Sequence, residues 1–301
     1  MATTSATTTL LHPADIQSVR GLELRARFIV EGMIAGLHKS PFHGFSAEFL
    51  EYRPYRSGES VRTIDWRAYA RSGRAYVRLY EDETNCPATI ALDKSASMDF
   101  RRGAAVTKFE YSRTLAAALA WLLHGQRDAV GLAAFDERVT LLLPARATSI
   151  HLTTILRGLE QLACSGRTAC AASLSAVASH LRKRGLCIII SDLLDDPDTI
   201  ATALRHIRFK KQDVIVLHVL DPFECGFTTA DTLDITDRET GQRLLVRGDV
   251  AAQYQREGMA AHCHALEHAC RGLQISYERI TTDMPFARAL LSVIEKRKHL
   301  P

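Results

Sequence analysis

Five oxygen-bearing side chains stand out by type and spacing. Asp93, Ser95 and Ser97 alternate just after a short apolar run, Ile90 to Leu92. Thr168 follows Gly166 in a polar loop, and Asp192 ends a second apolar run, Leu186 to Ile190. Two carboxylates and three hydroxyls make an all-oxygen set. Such a set suits a hard divalent cation, Mg²⁺ first and Mn²⁺ or Ca²⁺ as alternatives. Mg²⁺ takes six oxygens at about 2.0–2.1 Å and usually keeps several waters. A protein shell of this kind leaves a position open, and an acidic group on a partner can fill it.

Other chemistry is less well provided for. Asp93 at the end of a first strand could accept a phosphoryl group, but the position two residues on is Ser95, a poor acid/base. The sequence contains no Gly-x-x-x-x-Gly-Lys loop, no Gly-x-Gly-x-x-Gly and no Gly-x-Ser-x-Gly. His264, Glu267 and His268 have the spacing of an inverted zinc-protease motif on one helix face. The motif needs a third ligand placed elsewhere in the chain, so a plain helix face is the preferred reading, with His262, Cys263 and Cys270 as neighbours for adventitious Zn²⁺ or Ni²⁺. Arg247, Gly248 and Asp249 read as a turn, with Asp249 as the N-cap of a long helix.

These residues need a frame that brings them together. Strand and helix patterns alternate. Thr89 begins a strand. Thr107 and Glu110 form a capping box that opens a helix to about His124. Two strands, 129–135 and 138–143, share a tight turn, and a helix follows over 149–163. A further helix over 171–184 leads to the β-branched run ending at Ser191 and Asp192. Pro197 opens the next helix, and 214–219 is another core strand. Residues 232–246 read as a β-hairpin turning at 239–242. A helix to about Arg271, a strand over 275–280 and a helix from Pro285 complete the chain. Alternation of this kind implies an α/β fold with a mostly parallel, doubly wound sheet and helices on both faces. In such sheets ligands bind at the carboxyl ends of strands, where Asp93 and Asp192 fall.

Upstream, residues 1–12 are expected to be disordered, and 14–37 carry helical periodicity interrupted at Gly21. The block from Arg53 to Arg78 holds seven Arg and no Lys. Arg favours planar, bidentate contacts with carboxylate or phosphate, so this block is either an internal ion-pair network or a partner surface. Its neighbouring acids, Glu48, Glu51, Glu59 and Asp65, weigh against nucleic acid. The expected division is a tail over 1–12, an N-terminal helix and Arg-rich β extension over 13–86, and an α/β domain over 87–301.

The Asp-x-Ser-x-Ser stretch, Thr168 and Asp192, in this order, resemble the metal-ion-dependent adhesion site of von Willebrand factor A (vWA) domains. That resemblance implies direct metal contacts from Ser95 and Ser97. It implies a direct or water-mediated one from Thr168, and water-mediated ones from Asp93 and Asp192. A second set of residues narrows the likeness: Gly44, Phe45, Ser46, Glu48, Tyr52, Arg53, Tyr55, Ser57, Gly58, Arg62, Ile64, Asp65, Trp66, Ala70 and Arg71. With Met98, His218, Asp221, Pro222 and Glu224, these resemble the bacterial DUF58 family over about residues 20–295. Glu59 stands where that family often has Asp. The resemblance implies a vWA-like domain that works with MoxR-type AAA+ ATPases as an adaptor or co-chaperone.

Composition sets outer bounds. The chain has 301 residues, 47% hydrophobic and 24% charged, with a net charge of +4. That balance is ordinary for a globular protein and does not single out nucleic acid as a partner. No apolar run approaches the roughly 18–20 residues of a membrane span. The seven Cys lack a Cys-x-x-Cys pair, and the N-terminus has no signal-peptide pattern. The expectation is a cytoplasmic, non-enzymatic interaction module. A metal-dependent hydrolase is the alternative from another class, and nucleic-acid binding through residues 53–78 is a third.

Overall fold

In the computed structural model, residues 12–38, 51–54, 76–79, 87–166, 169–181, 184–229, 231–236 and 243–298 are described. Thr168, most of the Arg-rich block and the hairpin turn over 239–242 lie outside them. The chain divides into two units, Leu37–Asn85 and the remainder. In the smaller unit, β1 (Glu51–Pro54) pairs antiparallel with β2 (Tyr76–Leu79).

The larger unit is built on a six-stranded sheet in the order β10-β7-β6-β3-β4-β5. Its strands are β3 (Ala88–Asp93), β4 (Val130–Phe135), β5 (Val139–Arg146), β6 (Gly185–Ser191), β7 (Gln212–Leu220) and β10 (Ser276–Thr281). All neighbours are parallel except β4 and β5, which the tight turn at Asp136 and Glu137 forces into an antiparallel pair. The inner strands β4 and β6 are buried throughout, as expected of strands covered on both faces. β5 lies at the edge, so its exposure alternates residue by residue.

Helices cover both faces. One layer contains α3 (Lys108–Gly125), α4 (Ser149–Gln161) and α9 (Phe286–Lys298); the other contains α5 (Cys170–His180), α6 (Pro197–Phe209) and α8 (Gly248–Gly272). The run Leu115 to Ala120 on α3 is entirely buried, which small alanines permit by letting the helix sit close to the sheet. Two helices precede the sheet, α1 (Pro13–Gln17) and α2 (Leu22–His38). Gly21, at φ +83°, makes the break between them, where the sequence places it. They bury Ile16, Leu22, Ala26, Ile29, Val30 and Met33, and two hydrogen bonds fix them: the Leu22 amide donates to Glu160 at 2.9 Å, and the Gln17 amide side chain donates to Glu110 at 3.2 Å.

The remaining elements are α7 (Pro222–Cys225) and the hairpin β8 (Thr232–Thr236) with β9 (Arg243–Arg247). One expectation needs correction here. Asp249 does not cap α8; the N-cap lies two residues earlier, at Arg247, and the helix begins at Gly248. Asp249 sits in the first turn instead, paired with Arg247 at 2.6 Å, where its charge still complements the helix dipole.

Candidate functional site

Strand order explains why the two aspartates meet. The chain leaves β3 to one side for β4 and later returns to the other side for β6. The carboxyl ends of β3 and β6 therefore flank the switch point of the sheet, where a crevice opens. Asp93 ends β3, and Asp192 directly follows Ser191 of β6.

The period of two along a strand then assigns faces. Ala91, Cys187 and Ile189 belong to the apolar cluster beneath α5, α6 and α8. Asp93 and Ser191 share that parity, and the Ser191 hydroxyl donates to Asp93 Oδ2 at 2.6 Å. Asp192 has the opposite parity and meets α3. There Lys108 Nζ donates to Asp192 Oδ2 at 2.7 Å and to Glu224 Oε1 at 2.8 Å. Lys108 and Asp192 are wholly buried.

The hydroxyl loop is held from several sides. The Ser95 amide donates to Asp93 Oδ1 at 2.8 Å, and the Ser95 and Ser97 hydroxyls lie 3.1 Å apart. A 3-10 turn over Ala96–Asp99 follows, pinned by the fully buried Met98. The Ala96 amide donates to the Gly166 carbonyl at 3.1 Å, and Ser165 donates its amide to Lys94 at 3.0 Å. Gly166 stands at φ +76°, and a Cβ there would press on the Asp136 carboxylate at 3.1–3.3 Å, so glycine suits this crossing. Lys94 pairs with Asp136 beside it, lining a cleft of about 380 Å³ with Glu137, Arg138, Thr140, Ser165 and Gly166.

A second layer fixes Asp192 from behind. His218 Nε2 lies 2.8 Å from the Asp192 carbonyl, which can only accept, so this nitrogen carries the proton. Nδ1 then accepts from the Tyr277 hydroxyl at 2.6 Å. Burial pushes this imidazole down to about 4, keeping it neutral. Glu224 Oε2 accepts the Asp221 amide at 2.8 Å, and the Asp221 carboxylate accepts the amides of Arg102, Gly103 and Phe223. A Cβ on Gly103 would fall 2.6 Å from the Phe223 nitrogen, so only glycine passes here. The Arg102 guanidinium rests 4.6 Å over the Phe223 ring, placing a positive charge on this outer loop.

The structure thus brings Asp93, Ser95, Ser97 and Asp192 to the carboxyl ends of two adjoining strands. Thr168, the fifth candidate, lies outside the described residues. Among the described residues, no group of three or more His, Cys, Asp or Glu is suited to a metal. The oxygen set here is of another kind, two carboxylates completed by hydroxyls. Its fit to a hard cation rests on one atom. Asp192 Oδ1 is buried and has no hydrogen-bond partner among the described residues. Such an oxygen costs about 1–3 kcal/mol or more unless something meets it. The zinc-like trio differs: His264, Glu267 and His268 are all exposed, and Glu267 pairs with Arg271 at 3.0 Å.

Electrostatics fit the same reading. Burial, and then the charge of Asp192, push the Asp93 carboxyl up to about 7, against hydrogen bonds from Ser191 and Ser95. Burial pulls Lys108 down, but the Asp192 and Glu224 carboxylates outweigh it and hold the ammonium above its ordinary value. A pH dependence follows for the metal-free chain. Between the ordinary Asp value of 3.8 and about 7, the folded state keeps a proton that the unfolded chain has released. Stability from that proton is complete below the lower value and is lost as pH rises through the upper one. Urea midpoints in EDTA are expected to fall over this window, and Asp93→Asn is expected to flatten the fall. An equal slope in both proteins would remove Asp93 as its source.

Lys108 escaped sequence reasoning. The signal was present: a lysine in the first turn of a helix opposes the helix dipole, so an anion is expected beside it. Ser191 was legible only as a strand end.

Comparison with known proteins gives the following similarities. An uncharacterized protein of Mycobacterium tuberculosis and one of Mycobacterium bovis are each 26% identical over 291 residues, covering 95% of this chain and 90% of theirs. Among solved structures, BatB from Bacteroides thetaiotaomicron is similar at a TM-score of 0.48 and 16% identity, over 70% of this chain and 98% of that one. The VWA domain of SpRpn10 is similar at a TM-score of 0.40 and 12% identity, over 68% of this chain and 94% of that domain. The model of the protein family of unknown function DUF58 matches residues 51–266, a span that includes both site aspartates, the hydroxyl loop, Lys108 and Glu224. The chain belongs to the DUF58 family.

Proposed function

We propose that this protein is a metal-dependent protein-interaction module of the vWA type. Asp93, Ser95, Ser97, Thr168 and Asp192 would hold Mg²⁺ at the switch point of the sheet. When bound, the ion supplies a positive centre that accepts a carboxylate oxygen from a partner. The residues of the chain fix the oxygens and exclude bulk water from the crevice floor. The observation that supports the reading is the buried Oδ1 of Asp192, which has no hydrogen-bond partner among the described residues, on the strand end next to Asp93 and the Ser95–Ser97 hydroxyl pair. The partner is a MoxR-type AAA+ ATPase, by the family resemblance, and the task is that of an adaptor or co-chaperone. The exposed Arg101 and Arg102 on the next loop favour an acidic contact face on that partner.

The test is binding to a purified MoxR-type ATPase in Mg²⁺ and in EDTA. Asp93→Ala and the double variant Ser95→Ala/Ser97→Ala are each expected to weaken Mg²⁺-dependent binding by about 10–100-fold or more, with the fold retained by circular dichroism. Binding that survives EDTA unchanged would sink the metal mechanism. Among the described residues, no helix is long and apolar enough to cross a membrane.

A further inference from the structure

Lys108 is an unusual neighbour for a metal site. Its ammonium is fully buried, and it takes one oxygen of a carboxylate that the site needs. We propose that Lys108 acts as a resident counter-cation: it competes with the divalent ion for Asp192 and so sets a weak intrinsic metal affinity. This rests on the metal-dependent reading above.

The geometry carries the argument. Asp192 Oδ2 is held by Lys108 at 2.7 Å, while Oδ1 has no hydrogen-bond partner among the described residues. The ammonium therefore decides which Asp192 oxygen is left for a cation. It also places a unit charge on the carboxylate that would help hold the ion, in a buried setting where screening is weak. Asp93 and Asp192 contribute two negative charges to a doubly positive ion, and Lys108 offsets one of them. Glu224 shares the ammonium at 2.8 Å and lies outside the candidate oxygen set. A loaded site thus stays electron-poor, and an incoming carboxylate gains more from it than from a neutralised ion. Glu224 governs how strongly the ammonium presses on Asp192. Its other oxygen accepts the Asp221 amide, and Asp221 fixes the Arg102–Gly103 loop, so the balance is tied to the surface a partner would touch.

Two variants shift the balance in opposite directions, which a merely structural role would not do. Mn²⁺ affinity is read by titration calorimetry and by the Mn²⁺ resonance signal, with folding checked by circular dichroism. Lys108→Met/Glu224→Gln removes the competing cation together with one of the two carboxylates paired with it. It is expected to bind Mn²⁺ at least about tenfold tighter than wild type. Glu224→Gln alone leaves Lys108 to Asp192 only and is expected to bind about threefold weaker or worse. Equal affinities in all three proteins, or weaker binding in both variants, would overturn the role of Lys108 while leaving the metal site standing. An absence of Mn²⁺ binding in all three would overturn both.

Discussion

Replacing Lys108 with methionine is expected to cost the metal-free protein about 3–5 kcal/mol of stability. Methionine fills nearly the same space, so the loss is electrostatic rather than a packing defect. The substitution strands Asp192 and Glu224 as buried carboxylates that lose their shared cation. Breaking a buried ion pair from one side is far more costly than exchanging the whole pair, because the remaining charge has neither water nor partner. For a chain of this size each kcal/mol corresponds to roughly 2–4 °C in the melting temperature. Thermal melts in EDTA read the effect directly. Adding Glu224→Gln to Lys108→Met is expected to recover part of the loss, since one of the two stranded charges is gone. A cost below about 1 kcal/mol for the single change would mean that water reaches the ammonium, as at a surface pair.

Phe135→Ala is expected to cost about 3–5 kcal/mol, the usual range for emptying a buried aromatic site. Phe135 is wholly buried in the cluster that includes Cys170, Leu174 and Leu193. It pairs in register with Asp93, and its carbonyl accepts the Lys94 amide at 2.8 Å. The cavity would open beside the Asp93–Ser97 loop proposed to hold the ion. Mn²⁺ affinity should therefore fall together with the urea midpoint, whereas Phe135→Leu should lose less of both. A full loss of metal affinity with unchanged stability would place the effect in the loop and not in the core below it.

Most of the architecture was legible because periodicity and capping are local. Thr107 caps α3 with Glu110 as the reciprocal partner, with both bonds at 3.1 Å. Leu186 to Ile190 is too apolar and β-branched to be anything but a covered strand, and it is buried throughout. Asp196 and Pro197 open α6. Asp249 failed as a cap because the competing option, an ion pair with Arg247 inside the first turn, cannot be told from capping by residue type alone.

What the amino-acid sequence determined by itself was the inventory: a doubly wound α/β sheet, an oxygen-rich loop after one strand and an aspartate after another. Those follow from period, propensity and residue chemistry, which act over a few positions. What only the tertiary structure decided was adjacency. The reversal of strand order between β3 and β6 puts Asp93 beside Asp192 although 98 residues separate Asp93 from its hydrogen-bonding partner Ser191. The opposite parity of Ser191 and Asp192 sends one to Asp93 and the other to Lys108 on α3. The burial that makes Lys108, Asp192 and Glu224 interact strongly exists only once sheet and helix have closed over them, because charge pairing gains its strength from the exclusion of water.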